Sequence, residues 1–169
     1  MSNRTVMMNG NPVEIVGNVV SVGDKAPDFN VVAMDFSIKR LADFSGKVCI
    51  LSAVPSLDTG TCDIETRKFN ELAAGLGNDI QVITISVDLP FAQRRWCGAA
   101  GIDRVTVLSD HRKVSFGENY GILMKNARQL ARAIFIVDKS GVIRYTQLVP
   151  EIGNEPNYDE VIDAAKALV

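Results

Sequence analysis

The side chains with the widest chemical range in this sequence are three cysteines, Cys49, Cys62 and Cys97. A thiolate is a nucleophile, and its surroundings decide whether it reacts. The three are too few and too irregularly spaced for the disulfide framework of a secreted scaffold. There is no C-x-x-C pair and His111 is the sole histidine, so no metal site is expected. Cys62 has the most suggestive setting. It follows Val54-Pro55-Ser56-Leu57-Asp58-Thr59-Gly60-Thr61, where an apolar run ends, a turn intervenes and a helical pattern begins. A helix N-terminus carries unpaired N–H groups and partial positive charge, which favours a thiolate and shifts the expected Cys62 pKa downward.

Asp63 and Glu65 oppose that ionisation, so a nearby cation is required. Arg67 lies close in sequence, and Arg132 precedes an apolar strand that could bring it across the sheet. Spacing leaves both open. Cys97 falls near the end of the next helix. It is a small buried hydrophobe, a permanent disulfide partner of Cys62, or a transient one. A permanent bridge is disfavoured in a reducing compartment. Cys49 sits inside an apolar strand and reads as core.

The positioning elements follow from periodicity. Thr5–Met8 and Pro12–Ile15 flank Asn9-Gly10-Asn11, a strong hairpin signal. A strand is expected near Phe29–Ala33, and Val48–Val54 has the nearly unbroken apolar run of a central strand covered on both faces. Phe69, Leu72, Ala73 and Leu76 mark an amphipathic helix running from Thr61 to around Gly75–Gly77. Ile80–Val87 is a further buried strand. Asp88 is expected to cap a helix with Pro90 in its first turn, carried through Trp96-Cys97 and stopped near Gly98 and Gly101. Val105–Leu108, Ala133–Val137 and Val142–Gln147 are strands, and Tyr158, Val161, Ile162, Ala165 and Leu168 line a C-terminal helix. The order is a hairpin, then βαβαβ, then ββα, which predicts an α/β fold with a mixed central sheet flanked by helices.

The chain has 169 residues, 47% of them apolar, which suits a single domain spanning 1–169 with one sizeable core. Eighteen basic residues against twenty acidic ones give a net charge of −2, and no electrostatic reason to bind nucleic acid or an anionic membrane. No apolar run reaches the ~18–20 residues of a membrane span, and the N-terminus lacks the apolar stretch of a secretory signal. A cytoplasmic location is expected.

Taken jointly, these segments resemble the bacterial thiol peroxidases, the atypical two-cysteine branch of the peroxiredoxins. Pro55-Ser56-Leu57-Asp58-Thr59-Gly60-Thr61-Cys62 is similar to that family's P-x-x-x-T-x-x-C signature, and Arg67-Lys68-Phe69-Asn70 continues it. Asp88–Gln93 leading into Trp96-Cys97-Gly98 resembles the segment bearing the second cysteine, with Trp96 in place of the expected phenylalanine. Ala131-Arg132-Ala133 resembles the segment holding the active-site arginine, and the likeness continues through Gln147-Leu148-Val149 and Glu155-Pro156-Asn157-Tyr158.

The resemblance implies a thioredoxin-like fold with an N-terminal hairpin, a homodimer and no cofactor. It implies a peroxidatic Cys62 and a resolving Cys97, with Pro55, Thr59 and Arg132 completing the pocket. The implied substrates are hydroperoxides, organic ones preferred over hydrogen peroxide, and the implied reductant is thioredoxin. Two rival readings remain. A dithiol oxidoreductase is disfavoured because residue 59, three before Cys62, is threonine. A redox sensor would use the same Cys62–Cys97 switch to alter a binding surface.

Overall fold

Over residues 4–169, the part that the computed structural model describes, extended apolar runs and amphipathic stretches alternate as ten strands and four α-helices. These are β1 (Arg4–Met8), β2 (Asn11–Val16), β3 (Val31–Val32), β4 (Ile38–Lys39), β5 (Val48–Ala53), α1 (Gly60–Ala73), β6 (Ile80–Ser86), α2 (Pro90–Ala100), β7 (Thr106–Ser109), α3 (Ser115–Asn119), β8 (Leu123–Met124), β9 (Ala133–Val137), β10 (Ile143–Leu148) and α4 (Tyr158–Lys166). Seven strands form the main sheet in the order β10-β9-β5-β6-β7-β3-β4. Its centre, β5-β6-β7, is parallel; β9 and β3 flank it antiparallel, so the sheet is mixed as expected.

β5 is buried at all of its positions, and its side chains alternate between two cores because successive residues of a strand face opposite ways. Val48 and Ile50 join Phe69 of α1, Cys97 of α2 and Val161, Ile162 and Ala165 of α4 on one face. Cys49, Leu51 and Ala53 join Val6 and Ile15 of the hairpin, Phe116 and Tyr120 on the other. Helices α1, α2 and α4 therefore share one face. The hairpin, the short α3 and its connecting loops cover the opposite one.

The N-terminal hairpin pairs β1 with β2 around Asn9 and Gly10, both at positive φ (51° and 78°), the conformation an Asn-Gly turn supplies. It does not join the main sheet but forms a three-stranded sheet with β8. Two expectations need correction. The strand near Phe29–Ala33 is only Val31–Val32, since Phe29 instead packs edge-on against Phe116. Asp88 does not cap α2; the N-cap position is Leu89, and the Asp88 carboxylate turns elsewhere. Helix α2 ends at Gly101 in the left-handed region (φ 68°), where the N–H groups of Gly101 and Ile102 both reach the Cys97 carbonyl.

Candidate active site

The candidate site residues Pro55, Thr59, Cys62 and Arg132 converge where β5 gives way to α1. Pro55 is buried just past the strand end, and the chain then turns through Ser56–Asp58. Thr59 takes the N-cap position of α1 with extended φ/ψ, and its carbonyl accepts from Asp63 N–H at 3.0 Å. Its hydroxyl does not cap the helix. It donates to the Ser56 carbonyl at 2.9 Å, which leaves the oxygen's lone pairs free to accept. Cys62 follows in the first turn of α1 and is fully buried.

Both candidate cations are now placed. Arg67 is directed outward, pairing with Asp63 at 3.0 Å and stacking 5.7 Å from the centre of the Trp96 ring. Arg132 lies beside the sulfur. It immediately precedes β9, antiparallel neighbour of β5, and that pairing carries it to the Cys62 end of the sheet. Its Nη2 is 3.3 Å from Cys62 Sγ, its Nη1 donates to Glu65, and its Nε donates to the Ile152 carbonyl at 3.0 Å. The guanidinium is only 1% exposed. Burial opposes its charge, but the Glu65 carboxylate and the Cys62 sulfur hold its pKa above the ordinary arginine value.

Glu65 is equally buried. Desolvation pushes its carboxyl up, while Arg132 and the Ser52 hydroxyl, which donates at 3.0 Å, pull it back. Both Glu65 oxygens accept hydrogen bonds, the arrangement of an ionised carboxylate matched to a cation. Asp63 and Glu65, whose charges oppose a thiolate, each have a cation of their own: Arg67 for Asp63 and Arg132 for Glu65.

A hollow of about 410 Å³ opens over this loop, lined by Pro55, Thr59, Thr61, Arg132, Ile152 and Gly153 among others. The second cysteine lies on the helix next along the same face. Cys97 shares a hydrophobic cluster with Cys62, is reduced like it, and has its thiol pushed up to about 11 by burial. Trp96, its neighbour, donates from the indole N–H to Asp63 at 2.9 Å, so the second cysteine's helix is tied to the first cysteine's turn. Cys49 is core, as expected; burial raises its thiol to about 11.

Residues 21–162 match the Redoxin family. The chain is 56% identical over 164 residues to a thiol peroxidase of Bacillus subtilis, covering 97% of this chain and 98% of that protein. A thiol peroxidase of Halalkalibacterium halodurans is 50% identical, covering 96% and 98%. The crystal structure of a peroxiredoxin-like protein from Aquifex aeolicus superposes with a TM-score of 0.92 at 46% identity, covering 98% of both chains. The chain belongs to the Redoxin family. Within it, the chain is a peroxiredoxin-type thiol peroxidase, and the thioredoxin-like fold implied by the resemblance is the one observed.

Several residues that shape this Redoxin site were not assigned to it by pattern. Asp88 accepts from Ser56 Oγ (2.7 Å), Leu57 N–H (2.8 Å) and Ser86 Oγ (2.7 Å), bolting the 55–59 turn to the end of β6. Its hint was position: an acid just past a buried strand, at the sheet end where ligand chemistry gathers in open α/β folds. Ser52 is a polar residue buried within the otherwise apolar run of β5. It is the second partner of Glu65. Met8 and Asn9 of the hairpin, with Glu151, also line the hollow. No local signal links them, because the contact spans nearly the whole chain.

Proposed function

We propose that this thiol peroxidase reduces hydroperoxides through Cys62 and resolves the product through Cys97. The Cys62 thiolate attacks the terminal peroxide oxygen. The O–O bond breaks, the alkoxide leaves and takes a proton to become an alcohol, and the sulfur retains OH as a sulfenic acid. The Cys97 thiol then displaces that hydroxyl as water, forming a Cys62–Cys97 disulfide. An external dithiol of the thioredoxin type reduces the disulfide by exchange and is itself oxidised.

The observation that carries this reading is the Arg132 guanidinium, held 3.3 Å from the Cys62 sulfur and fixed by Glu65 and the Ile152 carbonyl. Ionisation alone contributes little. A free cysteine near pKa ~8.5 is already a few per cent thiolate at pH 7, so full ionisation gains about 30-fold, or ~2 kcal/mol. The rest must come from groups that bind the splitting O–O bond more tightly than the intact one. Arg132 is placed to steady negative charge building on the oxygens. The Thr59 hydroxyl, whose hydrogen is committed to Ser56, is an acceptor for the peroxide O–H. Pro55 forms an apolar wall that limits water around the sulfur.

Resolution asks for motion. In the reduced state Cys97 is a protonated thiol in an intact helix, and Cys62 is in another. A disulfide requires Cα atoms roughly 4.4–6.8 Å apart. We assign the opening to the last turn of α2, which is released when the Trp96–Asp63 bond and the Gly101 cap give way. A homodimer and a cytoplasmic location accompany this reading; among the described residues no helix is long and apolar enough to cross a membrane.

Mass spectrometry after one equivalent of organic hydroperoxide, with and without a sulfenic-acid trap, tests the cycle. Wild type should lose two hydrogens as the disulfide forms, and Cys97→Ser should yield a trapped Cys62 adduct. Cys62→Ser should consume no peroxide. Normal thioredoxin-linked recycling by Cys97→Ser would remove Cys97 from the mechanism.

A further inference from the structure

The wall of the hollow that faces the Cys62 turn is built by the N-terminal hairpin clamped to residues 150–153. Met7 N–H donates to the Pro150 carbonyl at 2.7 Å, and Ile152 N–H returns to the Met7 carbonyl at 2.8 Å. The Glu151 carboxylate accepts from Asn9 N–H (3.2 Å), Gly10 N–H (3.3 Å) and Gly153 N–H (3.4 Å). The same segment is fixed from the catalytic side. Arg132 Nε donates to the Ile152 carbonyl, and Thr61 Oγ1 donates to the Gly153 carbonyl, both at 3.0 Å. Glu151 is thus held at the rim by backbone groups, half-buried, and makes no ion pair with a described residue.

Arg132 and Glu151 are the only side chains of formal charge among the described residues lining the hollow. The charge of Arg132 is matched by buried Glu65. The charge of Glu151 is matched by no cation among the described residues. Beside it, Met8, Pro55 and Ile152 supply apolar surface for the body of an organic peroxide.

We propose that Glu151 is a specificity-determining residue, whose uncompensated carboxylate at the rim selects neutral, apolar-bodied hydroperoxides against those carrying an anionic tail. The inference rests on the peroxidase reading above. Two unit charges about 6 Å apart at a half-solvated rim repel enough to change a rate constant about tenfold, and salt weakens the effect.

The test compares two tertiary hydroperoxides alike except at the far end, one bearing a carboxylate and the other the corresponding carboxamide. At low ionic strength and pH 7, wild type should favour the carboxamide by about tenfold in kcat/KM. The preference should shrink to within about twofold near 1 M salt. Glu151→Gln keeps an acceptor for the hairpin N–H groups and should bring the ratio to within about twofold. Asn9→Asp adds a second anion at an exposed turn position where aspartate tolerates positive φ, and should widen the ratio. A wild-type ratio near one, or a ratio that neither variant moves, overturns the role of Glu151 while leaving the peroxidase reading intact. Failure of wild type to consume either compound overturns both.

Discussion

Replacing Glu65 by glutamine separates two jobs done by one buried ion pair. Glu65 and Arg132 are 0% and 1% exposed, so the guanidinium charge is sustained by what it touches. In Glu65→Gln, the amide oxygen can still accept from Arg132, and the Ser52 hydroxyl can rotate to accept from the amide N–H₂. Hydrogen bonding is kept; charge is lost. Breaking a buried pair by removing one partner costs about 3–5 kcal/mol, and the retained acceptor places this variant near 3 kcal/mol. With a urea m-value of about 2 kcal/mol per M, the reduced protein's unfolding midpoint should drop by about 1.5 M. Activity should suffer less. Arg132 keeps its bond to the Ile152 carbonyl and its approach to the sulfur, so kcat/KM should fall by no more than about tenfold. In the proposed mechanism Arg132 faces the reacting oxygens, so Arg132→Gln should cost about 10²–10³-fold. Denaturation in dithiothreitol and coupled peroxide turnover on the same preparations give both numbers. A midpoint within about 0.3 M of wild type would refute the argument that this pair sustains a buried charge. Equal losses of kcat/KM in the two variants would refute the division of labour.

Asp110 is fully buried beneath α3, accepting from the N–H groups of Phe116 (3.1 Å) and Gly117 (2.9 Å), and burial raises its pKa to about 6. Its folded pKa lies above its unfolded one, so its contribution is fully present below about pH 4 and lost as pH rises through about 6; the change is about 3 kcal/mol. Asp110→Asn should flatten that part of the stability profile, read as the wild-type minus variant difference in urea midpoint across pH 4–7; an unchanged difference would contradict the assignment. Asp88→Ala deletes three acceptor contacts to the Cys62 turn and to β6, and should lower stability by about 2–3 kcal/mol and kcat/KM severalfold. If turnover is untouched, the turn does not need that anchor. Cys49→Ala should keep peroxide turnover within about twofold while costing about 1 kcal/mol in a urea titration, because the Cys49 thiol faces the hairpin-side core. A large loss of turnover would make it a third working cysteine.

The legible parts of this chain were those decided locally. Residues 48–54 are apolar but for Ser52, so the run specifies a strand covered on both faces. Phe69 and Leu72 repeat at helical spacing, and Asn9-Gly10 specifies its own turn. The same locality misled at Asp88. An acid two residues before a helix-opening proline has the pattern of a cap, yet the Ser56 and Ser86 hydroxyls and the Leu57 N–H outcompete the helix end. The short α3 and β8 carry no period long enough to read and exist because Phe116, Tyr120 and Met124 complete the hairpin-side core. The choice between Arg67 and Arg132 was not available from spacing either. It depends on β9 running antiparallel to β5, which places residue 132 beside the strand end that residue 48 is farthest from.

In the proposed cycle the two cysteines are kept chemically unequal by placement. Cys62 has a guanidinium against its sulfur, whereas Cys97 packs in a hydrophobic cluster and has its thiol pushed up to about 11 by burial. At pH 7 a thiol of that kind is about 10⁻⁴ ionised; released into water at pKa ~8.5 it is a few per cent ionised, a gain of about 300-fold. The nucleophile in disulfide formation is the thiolate, so unwinding the end of α2 does two things in one motion. It shortens the distance to the Cys62 sulfenic acid, and it makes Cys97 reactive only once it is exposed. While α2 stays folded, with Trp96 bonded to Asp63 and Gly101 closing the helix, Cys97 is inert and the Cys62 site remains intact for the next peroxide. The bond between Trp96 and Asp63 therefore stands between peroxide reduction and resolution, binding the helix that must open to the turn that must hold its shape until the O–O bond has broken.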